Sequence, residues 1–111
     1  MTSTPPRSGM NNAPLAALDY ELAQEKASAL GRLGRALETA LAALSDHDGA
    51  GAATAAPDAA RAELVAAASE ALWCYMVQRE ACGLRDPRPV IRAYRVPAEV
   101  LARMGIRRRR R

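Results

Sequence analysis

Two cysteines, one histidine and a set of clustered charges carry whatever reactive chemistry this chain can offer. Cys82 lies in Gln78-Arg79-Glu80-Ala81-Cys82-Gly83-Leu84-Arg85-Asp86, with two arginines and two carboxylates as sequence neighbours. Cations facing a thiol would activate it as a nucleophile. Its position argues against that, because Gly83 marks a helix C-terminus, where the dipole disfavours a thiolate. Cys74 precedes it by eight residues on the same expected helix, roughly 12 Å along the axis and beyond disulfide reach. Both cysteines therefore read as small buried hydrophobes in a reducing compartment, which places the protein in the cytoplasm. His47, between Asp46 and Asp48, has no His or Cys companion at metal-ligand spacing and reads as a solvated loop histidine. No Ser-His-Asp triad can be built without it, and no Gly-rich phosphate loop occurs. The expectation is a protein that is not an enzyme and holds no metal or cofactor.

The arginines point elsewhere. Residues 1–84 carry six basic and ten acidic side chains, whereas residues 85–111 carry ten arginines against Asp86 and Glu99. A chain so divided favours an anionic partner at its C-terminal end. The candidate contacts are Arg92, Arg95 and Arg103, followed by the tail Arg107, Arg108, Arg109, Arg110 and Arg111. Residues 90–104 have the apolar spacing of a helix-turn-helix, with Val90, Ile91, Tyr94, Val96, Val100, Leu101 and Met104 inward. Ile91 and Arg95 stand where such motifs carry a small residue and a glycine, so the match is degenerate.

These groups need a scaffold, and composition indicates an all-α one. Alanine supplies nearly half of the apolar residues, Phe is absent and β-branched residues are few. Residues 1–12, rich in Thr, Ser, Pro, Gly and Asn, are expected to be disordered, and without an apolar segment they predict no secretory leader. A first helix is expected from Ala13 or Pro14 to about Ser45, with the stripe Leu15, Leu18, Leu22, Leu30, Leu33, Leu37, Leu41 and Leu44 broken by Lys26. Residues 46–57 read as a linker, and a second helix follows from Pro57 or Asp58 to Cys82. Gly83 and Leu84 suggest a Schellman stop, Asp86-Pro87 the start of a short third helix ending near Tyr94, and Pro97 a fourth ending near Met104. A single domain over 13–105 with a basic tail at 106–111 results. No run approaches the roughly 20 apolar residues that cross a bilayer, so no membrane partner is expected.

The first two helices are expected to form a long antiparallel hairpin. With Ser45 level with Asp58, Gly31 faces Leu72 and Trp73, and Gly34 lies near Ser69. The helix-packing residues on this reading are Gly31, Gly34, Leu72, Trp73, Tyr75 and Met76, the two glycines forming a notch for the bulky turn. Residues 71–77 are apolar all round, which one neighbouring helix cannot cover. A homodimeric four-helix bundle would bury them, and the two short C-terminal helices would cover Leu15 and Leu18 at the open end.

The start Tyr20-Glu21-Leu22-Ala23-Gln24-Glu25-Lys26, the repeated Leu-Gly-Arg at 30–32 and 33–35, and the segment 78–86 together resemble a family of small uncharacterised bacterial helical proteins. The likeness spans residues 15–105. It implies the helical fold and no activity. An ion-pair cluster of Arg79, Glu80, Arg85 and Asp86 around a helix stop accounts for segment 78–86 without chemistry. The function expected is that of a non-enzymatic helical interaction or scaffold protein, homodimeric, with an unidentified protein partner; the alternative is a nucleic-acid-binding protein using the C-terminal segment and the Arg tail.

Overall fold

The computed structural model describes the backbone over residues 5–50 and 58–109, and side chains over residues 13–50 and 58–105. Four helices and no strand occur among the described residues: α1, Pro5–Gly49; α2, Ala59–Ala81; α3, Arg88–Tyr94; and α4, Ala98–Arg109. The chain is all-α, with α1 packed on α2 and α4 packed on α2. Residues 51–57 of the expected linker, Arg110 and Arg111 lie outside the described residues, as do the side chains of Arg107, Arg108 and Arg109.

Helix α1 is longer than the sequence suggested at both ends. It begins at Pro5 rather than near Ala13, and Pro14 lies inside it. Pro5 and Pro6 occupy a first turn, where a missing N–H has no helical partner to lose. At the other end it reaches Gly49 rather than Ser45. The added turn is fastened to the start of α2. His47 Nε2 lies 2.6 Å from Asp58 Oδ2, and Asp48 accepts from Arg61 Nε at 2.7 Å and from Arg61 Nη2 at 3.1 Å. His47 is thus a half-buried interhelical group and not a solvated loop residue, because Asp58 crosses over to it.

Helix α2 follows its local signals closely. Asp58 caps its start by accepting from Arg61 N at 3.2 Å. At its end Gly83 adopts φ +85°, Leu84 N donates to Arg79 O at 2.8 Å and Gly83 N donates to Glu80 O at 2.9 Å. This is the Schellman pair of bonds, and it turns the chain away from the helix axis. Asp86 then accepts from Arg88 N at 3.0 Å, so α3 starts one residue later than Pro87. The expected cluster around the stop is also rearranged. Asp86 pairs bidentately with Arg88, while Arg79 donates to the Asp86 main-chain carbonyl at 2.8 Å.

The core is small and sits towards the closed end of the hairpin. Leu37 and Leu44 of α1, Val65, Ala68 and Leu72 of α2, and Val90, Val96, Val100 and Met104 of the C-terminal segment are buried together. Ala68 and Ser69 let α4 approach closely: Ser69, 1 % exposed, places its hydroxyl 2.9 Å from Val65 O and 3.2 Å from Val100 O. Glu99 at the start of α4 pairs with Arg61 at the start of α2, so the two helices run in the same direction.

That placement corrects the expectation for the open end. The turn between α3 and α4 folds back over the closed end, and Leu15 and Leu18 remain 59 % and 54 % exposed. The small face of Ala68 and Ser69 offers α4 a close seat, whereas no second helix among the described residues completes a groove beside the N-terminal part of α1. Within residues 71–77, Leu72 is fully buried and Ala71, Trp73, Tyr75 and Met76 pack partly buried against the core, while Val77 remains 47 % exposed.

Candidate functional site

Three features of the fold could engage other molecules, and each is built by a different pair of elements. The first lies where α1, α2 and the turn between α3 and α4 meet. A groove of about 540 Å³ is lined there by Glu38, Asp48, Arg61, Tyr94, Arg95 and Glu99, among others. Its charges are largely committed to one another. Arg61 bridges Asp48 and Glu99, and these bonds hold its guanidinium well above its ordinary value. The bond to Arg61 lowers the Asp48 carboxyl, and the bond to His47 does the same for Asp58.

Tyr94, from the groove wall, also takes part in the close approach for which a glycine is needed. A Cβ on Gly34 would stand 2.9 Å from Tyr94 Oη and 3.2 Å from Tyr75 Cε1. The two rings meet edge to face at 5.7 Å. Burial, and then the Tyr75 hydroxyl, push the Tyr94 phenol above its ordinary value. Gly31 was expected to admit Trp73, but a Cβ there would meet only Arg35 Nη1, at 3.5 Å. Gly34 faces Tyr75, six residues further along α2 than the expected Ser69. The cause is the extra turn of α1, which moves the register of the whole hairpin.

Acid sensitivity follows from these pairs. Asp86 is held at about 2 by its bonds to Arg88, and Asp48 and Asp58 are also lowered from the ordinary 3.8. A carboxyl lowered by folding contributes stability that is complete above the unfolded value and fades as pH falls towards the folded one. From these three carboxyls, the urea midpoint should be flat between about pH 5 and pH 8 and fall between about pH 4 and pH 2. In Asp86→Asn that fall should be shallower, as monitored by circular dichroism.

The second feature is the basic side of the C-terminal segment. Arg92, Arg95 and Arg103 are exposed on α3, the turn and α4. Arg95 takes the left-handed conformation, φ 53° and ψ 52°, and Val96 N donates back to Ile91 O at 3.1 Å. The turn thus has the backbone that glycine ordinarily supplies in a helix-turn-helix, although the residue is an arginine. On the following helix Glu99 is engaged by Arg61, which removes a polar side chain from the face that would meet a groove.

The third feature is the N-terminal arm of α1. Gln78 of α2 reaches the carbonyl of Lys26 at 3.4 Å, and α2 ends three residues later, at Ala81. Between Ala13 and Gln24 every side chain of α1 is exposed. Leu15, Leu18, Tyr20 and Leu22 are 59 %, 54 %, 65 % and 58 % exposed. Where α2 ends, a step of about 470 Å³ opens beside the arm, lined by Asp19, Leu22, Ala23, Lys26, Leu30 and Cys82, among others. The sequence shows this stripe plainly. What it did not show is that the stripe goes uncovered.

Cys74 and Cys82 are unpaired and partly buried, and no group of three or more His, Cys, Asp or Glu side chains could hold a metal ion among the described residues. No helix among them is long and apolar enough to cross a membrane.

Fold and surface together define a class: a helical hairpin with a two-helix lid at its closed end and a projecting amphipathic arm. Residues 7–110 match the family model described as a family of unknown function, DUF6665, and the chain belongs to that family. No curated protein and no solved structure gives a match.

Proposed function

We propose that this is a non-enzymatic interaction protein of the cytoplasm that works by docking an apolar helix face onto the α1 arm. The observation that carries the reading is the stripe Leu15, Leu18 and Leu22, each more than half exposed on one face of a helix that has no packed neighbour at that level among the described residues. Isolated exposed leucines are ordinary on protein surfaces, but a contiguous stripe on a projecting helix is the form in which helices recognise one another. The rest of the fold serves as a mount, held at its closed end by the pairs of His47 with Asp58 and of Arg61 with Asp48 and Glu99, and by the core around Leu37, Leu44 and Leu72.

The test is a double substitution on the arm, Leu18→Asp with Leu22→Asp. The core does not include either residue, so the cooperative unfolding of the hairpin and its lid should persist. Assemblies trapped by cross-linking the wild-type chain, with itself or with other proteins, should be lost. Identical assemblies from both chains would refute an interaction role for the arm.

A second reading has one specific observation in its favour, the left-handed Arg95 between two helices with helix-turn-helix spacing. On this reading Arg92, Arg95 and Arg103 contact phosphates, and binding to duplex DNA weakens steeply with salt. Replacing the three by Glu should then abolish binding at low salt. Residues 98–105 present Ala98, Ala102 and Arg103 as exposed side chains beside the engaged Glu99, which limits any reading of base edges.

A further inference from the structure

We infer that the partner of the arm is a second copy of this chain, laid antiparallel so that Leu18 of each copy faces Leu22 of the other and Asp19 pairs with Lys26 across the seam. The inference rests on the interaction reading of the arm and names its occupant. It also gives Lys26, which interrupts the leucine stripe, a role.

The geometry follows from helical periodicity. Leu15, Leu18 and Leu22 lie within about 60° of one another round α1, and Asp19 and Lys26, seven residues apart, share one flank of that stripe within about 20°. None of the salt bridges among the described residues engages Asp19 or Lys26. In an antiparallel pair with Leu18 facing Leu22, Asp19 and Lys26 of the second copy are offset by about 7.5 Å along the axis. Side chains lean towards their own helix N-terminus, and in antiparallel helices those two leans converge. The flexible stem of Lys26 covers the remaining distance. The two Asp19 side chains, by the same rule, lean apart.

Symmetry doubles each contact. The pairing of Leu18 with Leu22 and of Asp19 with Lys26 occurs twice about a two-fold axis, so the interface closes on itself. A parallel pairing is worse, because Glu25, seven residues after Leu18, would face its own copy across the seam. In the antiparallel register Glu25 instead meets Leu15 near the edge of the overlap, where its carboxylate reaches water, and the helix dipoles oppose one another favourably. Position 11 of one copy comes level with Ala29 of the other, alongside the step where α2 ends, which the arriving helix would fill.

The experiment is a charge exchange read by sedimentation equilibrium of the full chain at low ionic strength, where exposed pairs are least screened. The wild-type chain should show twice the 11.8 kDa monomer mass at micromolar concentration. Asp19→Lys and Lys26→Asp, each creating two like-charge contacts, should each weaken the dimer about ten-fold. The double variant Asp19→Lys with Lys26→Asp should recover to within about three-fold of wild type. Circular dichroism confirms that each variant keeps its helices. A wild-type monomer at about 100 µM, single variants that dimerise as well as wild type, or a double variant no better than the singles would each overturn the antiparallel pairing. If the wild-type chain is monomeric while Leu18→Asp with Leu22→Asp still loses a cross-linked complex with another protein, self-pairing fails and the interaction role of the arm stands. Loss of neither assembly removes both.

Discussion

Leu72→Ala should lower the unfolding free energy by about 3–4 kcal/mol, as measured by urea titration at neutral pH. Leu72 is fully buried and belongs to the cluster that joins α1, α2 and the lid helices. Truncation removes the transfer free energy of three carbons and leaves a void that helices fixed by other contacts cannot close. A domain of this size has a total stability of roughly 5–15 kcal/mol, so one such loss is a large share. Val77→Ala, five residues further along the same helix at 47 % exposure, should change stability by less than about 0.5 kcal/mol. A small effect at Leu72 would mean that the core is far looser than its packing indicates.

The second large effect separates two glycines with identical sequence neighbours. Gly34→Leu should cost about 2–3 kcal/mol, because the new side chain enters the space held by Tyr75 and the Tyr94 hydroxyl. Gly31→Ala should instead raise stability by up to about 1 kcal/mol, since alanine is the better helix former and the added methyl makes only an ordinary contact with Arg35. The milder Gly34→Ala sets that helical gain against a Cβ 2.9 Å from Tyr94 Oη. Combining it with Tyr94→Phe removes the clashing oxygen, so the pair should be more stable than the two single changes add up to. Additivity would place the constraint at Gly34 somewhere other than the Tyr94 hydroxyl.

The arm and the lid differ in how they were legible. For the lid, the inward residues were readable from spacing, and Val90, Val96, Val100 and Met104 are buried as that spacing implied. Its destination was not readable. Local signals place a stop at Gly83 and a start at Asp86, but the direction in which the lid folds depends on which distant surface accepts it. Ala68 and Ser69 do so through close backbone approach, and the salt bridge from Glu99 to Arg61 fixes the end. The arm was readable as a leucine stripe and unreadable as a surface, because the same stripe further along α1 is buried at Leu37 and Leu44.

His47 shows the same division. Between two aspartates and a run of small residues, it carries every local mark of a loop. Only the return of α2 brings Asp58 within 2.6 Å of it. The added turn of α1 that results also moves the glycine notch from Gly31 to Gly34, since shifting one helix against another changes every facing pair at once.

By itself the sequence determined the helices, the cap at Asp58, the Schellman stop at Gly83 and the inward face of the lid, because those features depend on propensities and hydrogen bonds within a few residues of one another. Tertiary structure alone decided the register of the hairpin, the glycine that must stay a glycine, and the end of the hairpin that the lid covers. Those outcomes are set by contacts between residues far apart in the chain, where two positions with the same local pattern, such as Gly31 and Gly34, are distinguished only by the side chains that arrive opposite them.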